Sequence, residues 1–72
     1  MFFVIEHNTR PDGNVNTSET ARGTFASALS LYHERYSKLC VSTQFTSAAI
    51  MLVDADLGVI QQDNIETQYA EE

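Results

Sequence analysis

Between Phe25 and Leu39, large apolar residues fall at positions 25, 29, 32, 36 and 39, a 4-3-4-3 spacing that an α-helix gathers onto one face. Ala28 and Leu31 widen that stripe, and no Pro or Gly interrupts the run. Thr24 stands at the N-cap position, where its hydroxyl can accept from a backbone N–H of the first turn. Glu34 and Lys38 are four apart on the polar side, in the order that favours pairing. One helix cannot bury its stripe alone, so the rest of the 72-residue chain must supply a second layer.

That layer reads as strands. Phe2 to His7 is rich in aromatic and β-branched residues, with Phe3 and Ile5 on one face and Phe2 and Val4 on the other. Asn8 to Asn14 is a turn, with Pro11 presetting φ and Gly13 free to take φ > 0. The polar stretch that follows can return as a short edge strand over Asn14 to Thr17. After the helix, Phe45 to Asp54 is apolar on both faces at its centre. Asp54 to Gly58 is a hairpin turn with Gly58 expected in the left-handed region. A last strand covers Val59 to Gln62 and Ile65 to Tyr69, with a bulge expected near Asp63 and Asn64, and Ala70 to Glu72 is expected to fray. The expected fold is therefore α+β, a single domain over 1–72. One amphipathic helix packs on an antiparallel sheet of three to four strands in the order β-(β)-α-β-β. The uncovered sheet face is expected to carry Phe2, Val4 and one set from Ala48 to Val53.

Composition sets what such a domain can afford. Folding buries roughly 7,000 Å², and at ~25 cal/mol/Å² for the apolar ~60% this returns on the order of 105 kcal/mol. Ordering the chain costs on the order of 110 kcal/mol. The balance is near zero, and Cys40, the single cysteine, cannot form an intrachain disulfide. Self-association is the expected remedy. The net charge of −6 leaves Arg10, Arg22, Arg35 and Lys38 as the fixed cations, which argues against a general nucleic-acid surface. The longest apolar run, Ala48 to Val53, is too short to cross a membrane. Met1 to Ile5 has no basic flank and is interrupted by Glu6, so a signal peptide is not expected and the cytoplasm is.

Few residue groups carry chemistry. Asp54-x-Asp56 with Gly58 begins like a calcium loop, but Gly58 and Ile65 stand where oxygen ligands belong. His7, His33 and Cys40 are isolated, unlike the close pairs of a zinc site. Cys40 ends the helix, where the helix dipole disfavours a thiolate. The three glycines are scattered and make no phosphate loop. No metal, cofactor or enzymatic activity is expected. One cluster remains: Tyr32, His33, Arg35, Tyr36 and Lys38 bring two aromatics and two cations to the second half of the helix. Arg35 and Lys38 can hold phosphate or carboxylate while a tyrosine stacks on a base. The same residues also read as core tyrosines with solvated cations at the rim.

The opening Phe2-Phe3-Val4-Ile5-Glu6, the turn at Asp12-Gly13, and Tyr32-His33 in a helix preceded by Thr24 and Ala28 resemble small proteins of phages and prophages of gut Firmicutes. Ala48-Ala49-Ile50-Met51-Leu52, with Asp56 and Gly58 in the hairpin after it, extends the likeness. The resemblance implies a non-enzymatic anti-defence protein in the bacterial host cytoplasm. Such a protein would sequester a nucleotide-derived immune signal as a homo-oligomer; the helix cluster of Tyr32, His33, Arg35, Tyr36 and Lys38, read from its own residue types, is the expected ligand site. The alternative it implies is an acidic inhibitor, such as an anti-CRISPR, whose Asp54, Asp56, Asp63, Glu66, Glu71 and Glu72 would occupy a basic groove of a host nuclease complex.

Overall fold

The computed structural model describes residues 1–67. Two strands, β1 (Phe2–Thr9) and β2 (Val15–Arg22), precede a helix, α1 (Phe25–Cys40), and two more strands, β3 (Ser47–Val53) and β4 (Val59–Glu66), follow it. All strand pairs are antiparallel, in the order β2-β1-β3-β4, so the fold is α+β with one helix on a four-stranded sheet. Among the described residues no helix is long and apolar enough to cross a membrane.

The first hairpin is set by its loop. Gly13 N–H donates to Arg10 O at 2.9 Å around Pro11, and Gly13 then takes φ 90°. Arg10 N–H closes the loop onto Asn14 O at 2.8 Å. From there β2 pairs with β1 along its whole length, Thr9 against Val15 through Phe2 against Arg22. The return strand is thus eight residues, twice the expected length, and its polar sequence VNTSETAR is mostly exposed.

Thr24 caps α1 as expected, its Oγ1 accepting from Ser27 N–H at 3.2 Å. Ala28, Leu31, Tyr32 and Leu39 are buried against the sheet, Leu29, Tyr36 and Cys40 are partly buried, and Phe25 is exposed beside Phe2. The helix lies mainly over β3 and β1. Beneath it the core is completed by Val4, Ala48, Ile50, Leu52 and Ile65, with Ile50 and Leu52 wholly buried.

Cross-strand register assigns the faces. Val4 pairs with Leu52, Glu6 with Ile50, and Ala48 with Ile65, so these share the helix side. Phe3, Ile5, Met51 and Val53 point the other way, where no second layer lies among the described residues. This reverses the expectation for β1: Phe2 and Val4 belong to the covered face, because Glu6, in phase with them, finds its cationic partner on the helix.

The second hairpin also departs from expectation. Asp54 Oδ1 accepts from Asp56 N–H at 3.0 Å and from Gly58 N–H at 2.8 Å, and Leu57, not Gly58, has the positive φ of 63°. Gly58 is favoured for a different reason: a Cβ there would stand 3.1 Å from Asp54 Oδ2, so the Asp54 carboxylate would have to give way by a few tenths of an ångström. The bulge falls where Val53 pairs with Val59 and Leu52 with Gln61, skipping Ile60, and not near Asp63. The expected continuation to Tyr69 and the end at Ala70–Glu72 lie outside the described residues.

Candidate functional site

A single helix centred on four strands leaves a flank on each side, and each flank holds a cleft. The larger, about 450 Å³, is lined by Glu6, Arg22, Leu31, Glu34, Arg35, Lys38, Leu39, Ser42 and Phe45. The smaller, about 230 Å³, is lined by Tyr32, His33, Tyr36, Gln61 and Asp63.

The five helix residues singled out from the sequence are therefore divided, not gathered. Arg35 and Lys38 line the larger cleft, while Tyr32, His33 and Tyr36 line the smaller. Helical geometry accounts for the division: at about 100° per residue, Tyr36 and His33 fall to one side of Tyr32, and Arg35 and Lys38 fall to the other.

In the larger cleft, Glu6 is the anchor. It projects from the covered face of β1 with 8% of its surface exposed, and Arg35 Nη1 donates to its Oε2 at 3.1 Å. Asn8 Nδ2 approaches its Oε1 at 3.4 Å. A carboxylate so nearly dry requires a partner, because an uncompensated charge at the core boundary costs several kcal/mol. The Lys38–Glu34 pair, at 3.3 Å with both side chains mostly exposed, contributes at most about 0.5 kcal/mol. Lys38 is thus free to exchange partners. Arg22 comes from the end of β2, where its Nη1 donates to Ala21 O at 3.0 Å. Leu31, Leu39 and Phe45 give the cleft an apolar floor.

In the smaller cleft, Tyr32 is only 1% exposed and its hydroxyl donates to the Asp63 carboxylate. Burial, and then the hydrogen bond and charge of Asp63, raise the Tyr32 hydroxyl pKa well above the usual tyrosine value. Tyr36 is raised as well, first by Cys40 one turn along the helix and then by Asp63. His33 stands edge-on to Tyr32, ring centres 5.9 Å apart. Tyr32 is thus committed to the fold, and Arg35 and Lys38, the cations expected beside the tyrosines, line the other cleft.

The sequence reading missed Glu6, Arg22 and Phe45 as cleft residues. Glu6 did carry a signal, being the one charge within an apolar strand. Arg22 and Phe45 reach the cleft only through the tertiary fold. Of the acidic residues considered for a protein-binding surface, Asp54 is folded into its own turn and Asp63 holds Tyr32, while Asp56 and Glu66 are exposed. Glu71 and Glu72 lie outside the described residues. Among the described residues no group of three or more His, Cys, Asp or Glu side chains converges as a metal site would require. The chain matches no family model, no curated protein and no solved structure.

Proposed function

We propose that this chain is a non-catalytic binder of a small phosphate- or carboxylate-bearing ligand, held in the cleft between α1 and the β1–β2 hairpin. The observation that carries the reading is that Arg22, Arg35 and Lys38, three of the four fixed cations of a chain with net charge −6, line this one cleft. Against Glu6 and Glu34 they leave a local surplus of positive charge. The cleft volume falls within the range of small-ligand sites, and Phe45 with Leu31 and Leu39 supplies an apolar surface for a ring. Sequestration of a nucleotide-derived signal is the role that the phage resemblance implies for such a binder. The acidic-inhibitor reading has less behind it, since two of its four described carboxylates are tied up within the fold.

A non-catalytic role fits the disposition of reactive groups. The hydroxyl–imidazole contact of Thr17 with His7 Nδ1, at 2.9 Å, lies on the sheet face away from both clefts.

The test is isothermal titration calorimetry of the full chain with cyclic dinucleotides, ADP-ribose and pyrophosphate. Binding of at least one of these is expected, weakening with added salt and falling more than tenfold in the double variant Arg22→Ala, Lys38→Ala, as loss of charge-assisted hydrogen bonds predicts. Heat from none of them, or unchanged affinity in a folded double variant, overturns the reading.

A further inference from the structure

We propose that the helix-free face of the sheet is a self-association surface, on which two copies of this chain stack about a two-fold axis running along the strands. This rests on a different set of side chains from the ligand cleft and stands without it.

The face has the makeup of an interface. Register places sixteen side chains on it, of which only Glu19 and Glu66 are charged, in a chain with four cations and ten carboxylates. Those two stand on opposite edge strands. The centre is apolar: Phe3, Ile5 and Met51 are partly exposed on the two middle strands, beside a buried Val53. Val15 and Val59, on the edges, are more than half exposed. A charge-poor apolar centre with a polar rim is what protein interfaces show. With no Arg or Lys on it and a glutamate at each edge, the face is poorly suited to a lipid surface or a nucleic acid, both of which want cations.

What favours a second copy is that the face complements itself. Rotation about an axis along the strands reverses strand order but keeps each row level, placing β1 over β3 and β2 over β4 of the second copy. The apolar row of Ala21, Phe3, Val53 and Val59 then meets the same row, with Phe3 over Val53. In the next row Ile5 lies over Met51, and Glu19 lies over Gln62. Glu66 lies over Val15, so no carboxylate faces a carboxylate. An axis across the strands would instead set the apolar row against Thr9 and Ser47. The small rotation between aligned stacked sheets preserves this pairing. Four strands about 4.8 Å apart and seven residues at about 3.3 Å give a flat footprint of about 440 Å² per copy. Side-chain relief raises the accessible area above that, to about 1,000 Å² in total for the pair, the least that a biological interface clears. Interfaces of this size are typically weak and transient, so association is sought at high concentration. Both clefts stay open, on the outer sides of the pair.

Sedimentation velocity of the full chain from 5 to 500 µM tests this. The expected mass rises from that of the 8.0 kDa chain to twice that value. Ile5→Asp and Met51→Asp are expected to remain monomeric throughout, whereas Val41→Asp, at an exposed apolar position off the face, should dimerise as before. Should the face variants fail to fold, methyl resonances of the unaltered chain decide. On dilution those of Ile5 and Met51 shift and those of Ile50 and Leu52 stay put. A monomer at 500 µM, a folded Met51→Asp that still dimerises, or dilution shifts absent from Ile5 and Met51 each overturn the proposal.

Discussion

Replacing Arg35 by Met removes the one ion-pair partner of Glu6 among the described residues while keeping most of the bulk of the side chain. Glu6 would then hold a carboxylate with 8% of its surface exposed against Ile50 and Val4. Losing one partner of a fully buried pair costs about 3–5 kcal/mol. Arg35 is 37% exposed and the cleft admits water, which reduces the expected cost to about 2.5 kcal/mol. At about 2.1 cal/mol/K per residue the unfolding entropy of 72 residues is about 0.15 kcal/mol/K, so the melting temperature should fall by about 17 °C. Glu6→Gln, which leaves Arg35 free to turn into solvent, should cost only about 1 kcal/mol. The combined Glu6→Leu, Arg35→Met variant replaces both charges with apolar groups and should return to within about 1 kcal/mol of the unaltered chain. Urea denaturation followed by circular dichroism measures all of these, the cycle giving the coupling directly. An Arg35→Met cost below about 1 kcal/mol, or a combined variant as damaged as the sum of its parts, would refute the idea that burial of Glu6 commits Arg35. Strong coupling would in turn assign most of the anion binding to Arg22 and Lys38.

Two further outcomes are expected. Because the Tyr32 hydroxyl pKa is raised on folding, its contribution is intact below the unfolded tyrosine value near pH 10 and is lost above it, at up to about 1.4 kcal/mol per pH unit. Tyr32→Phe should therefore cost about 2 kcal/mol at pH 7, and the gap between the two proteins should narrow above pH 10 in urea titrations; a constant gap would show that Tyr32 does not titrate this way. Leu57→Gly relieves a left-handed leucine worth about 1–2 kcal/mol of strain against about 0.5–1 kcal/mol of added unfolded-state entropy. The variant should melt a few degrees higher, and a lower melting temperature would mean that the exposed Leu57 side chain contributes more than its backbone costs.

The helix and its cap were legible because 3.6-residue periodicity is a local property, and nothing between Phe25 and Cys40 competes with it. The existence of β2 was legible but its full length was not, because Val15–Arg22 is mostly polar and its extent is dictated by pairing with β1. The faces of β1 were ambiguous, since Phe2 and Val4 are as apolar as Phe3 and Ile5; the deciding residue is Glu6, whose partner lies 29 positions away. The division of the helix cluster between two flanks follows from residue spacing and could have been read from it. What the larger cleft gains from Arg22 and Phe45 could not, because neither is close in sequence to Arg35.

The central position of β1 has a consequence for synthesis. Its first neighbour, β2, emerges directly after it and can pair through the Pro11–Gly13 turn alone. Its other neighbour, β3, begins only at Ser47, after the whole helix has been made. During that interval the nascent hairpin presents an unpaired β1 edge, with Phe2, Phe3, Val4 and Ile5 along it and no layer on either side. Such an edge is a template for pairing with other chains. The interval between translating Thr9 and Val53 is thus the period in which this protein is most exposed to misassembly, and slow codons or a short supply of chaperone there should lower its yield more than the same delay later in the chain.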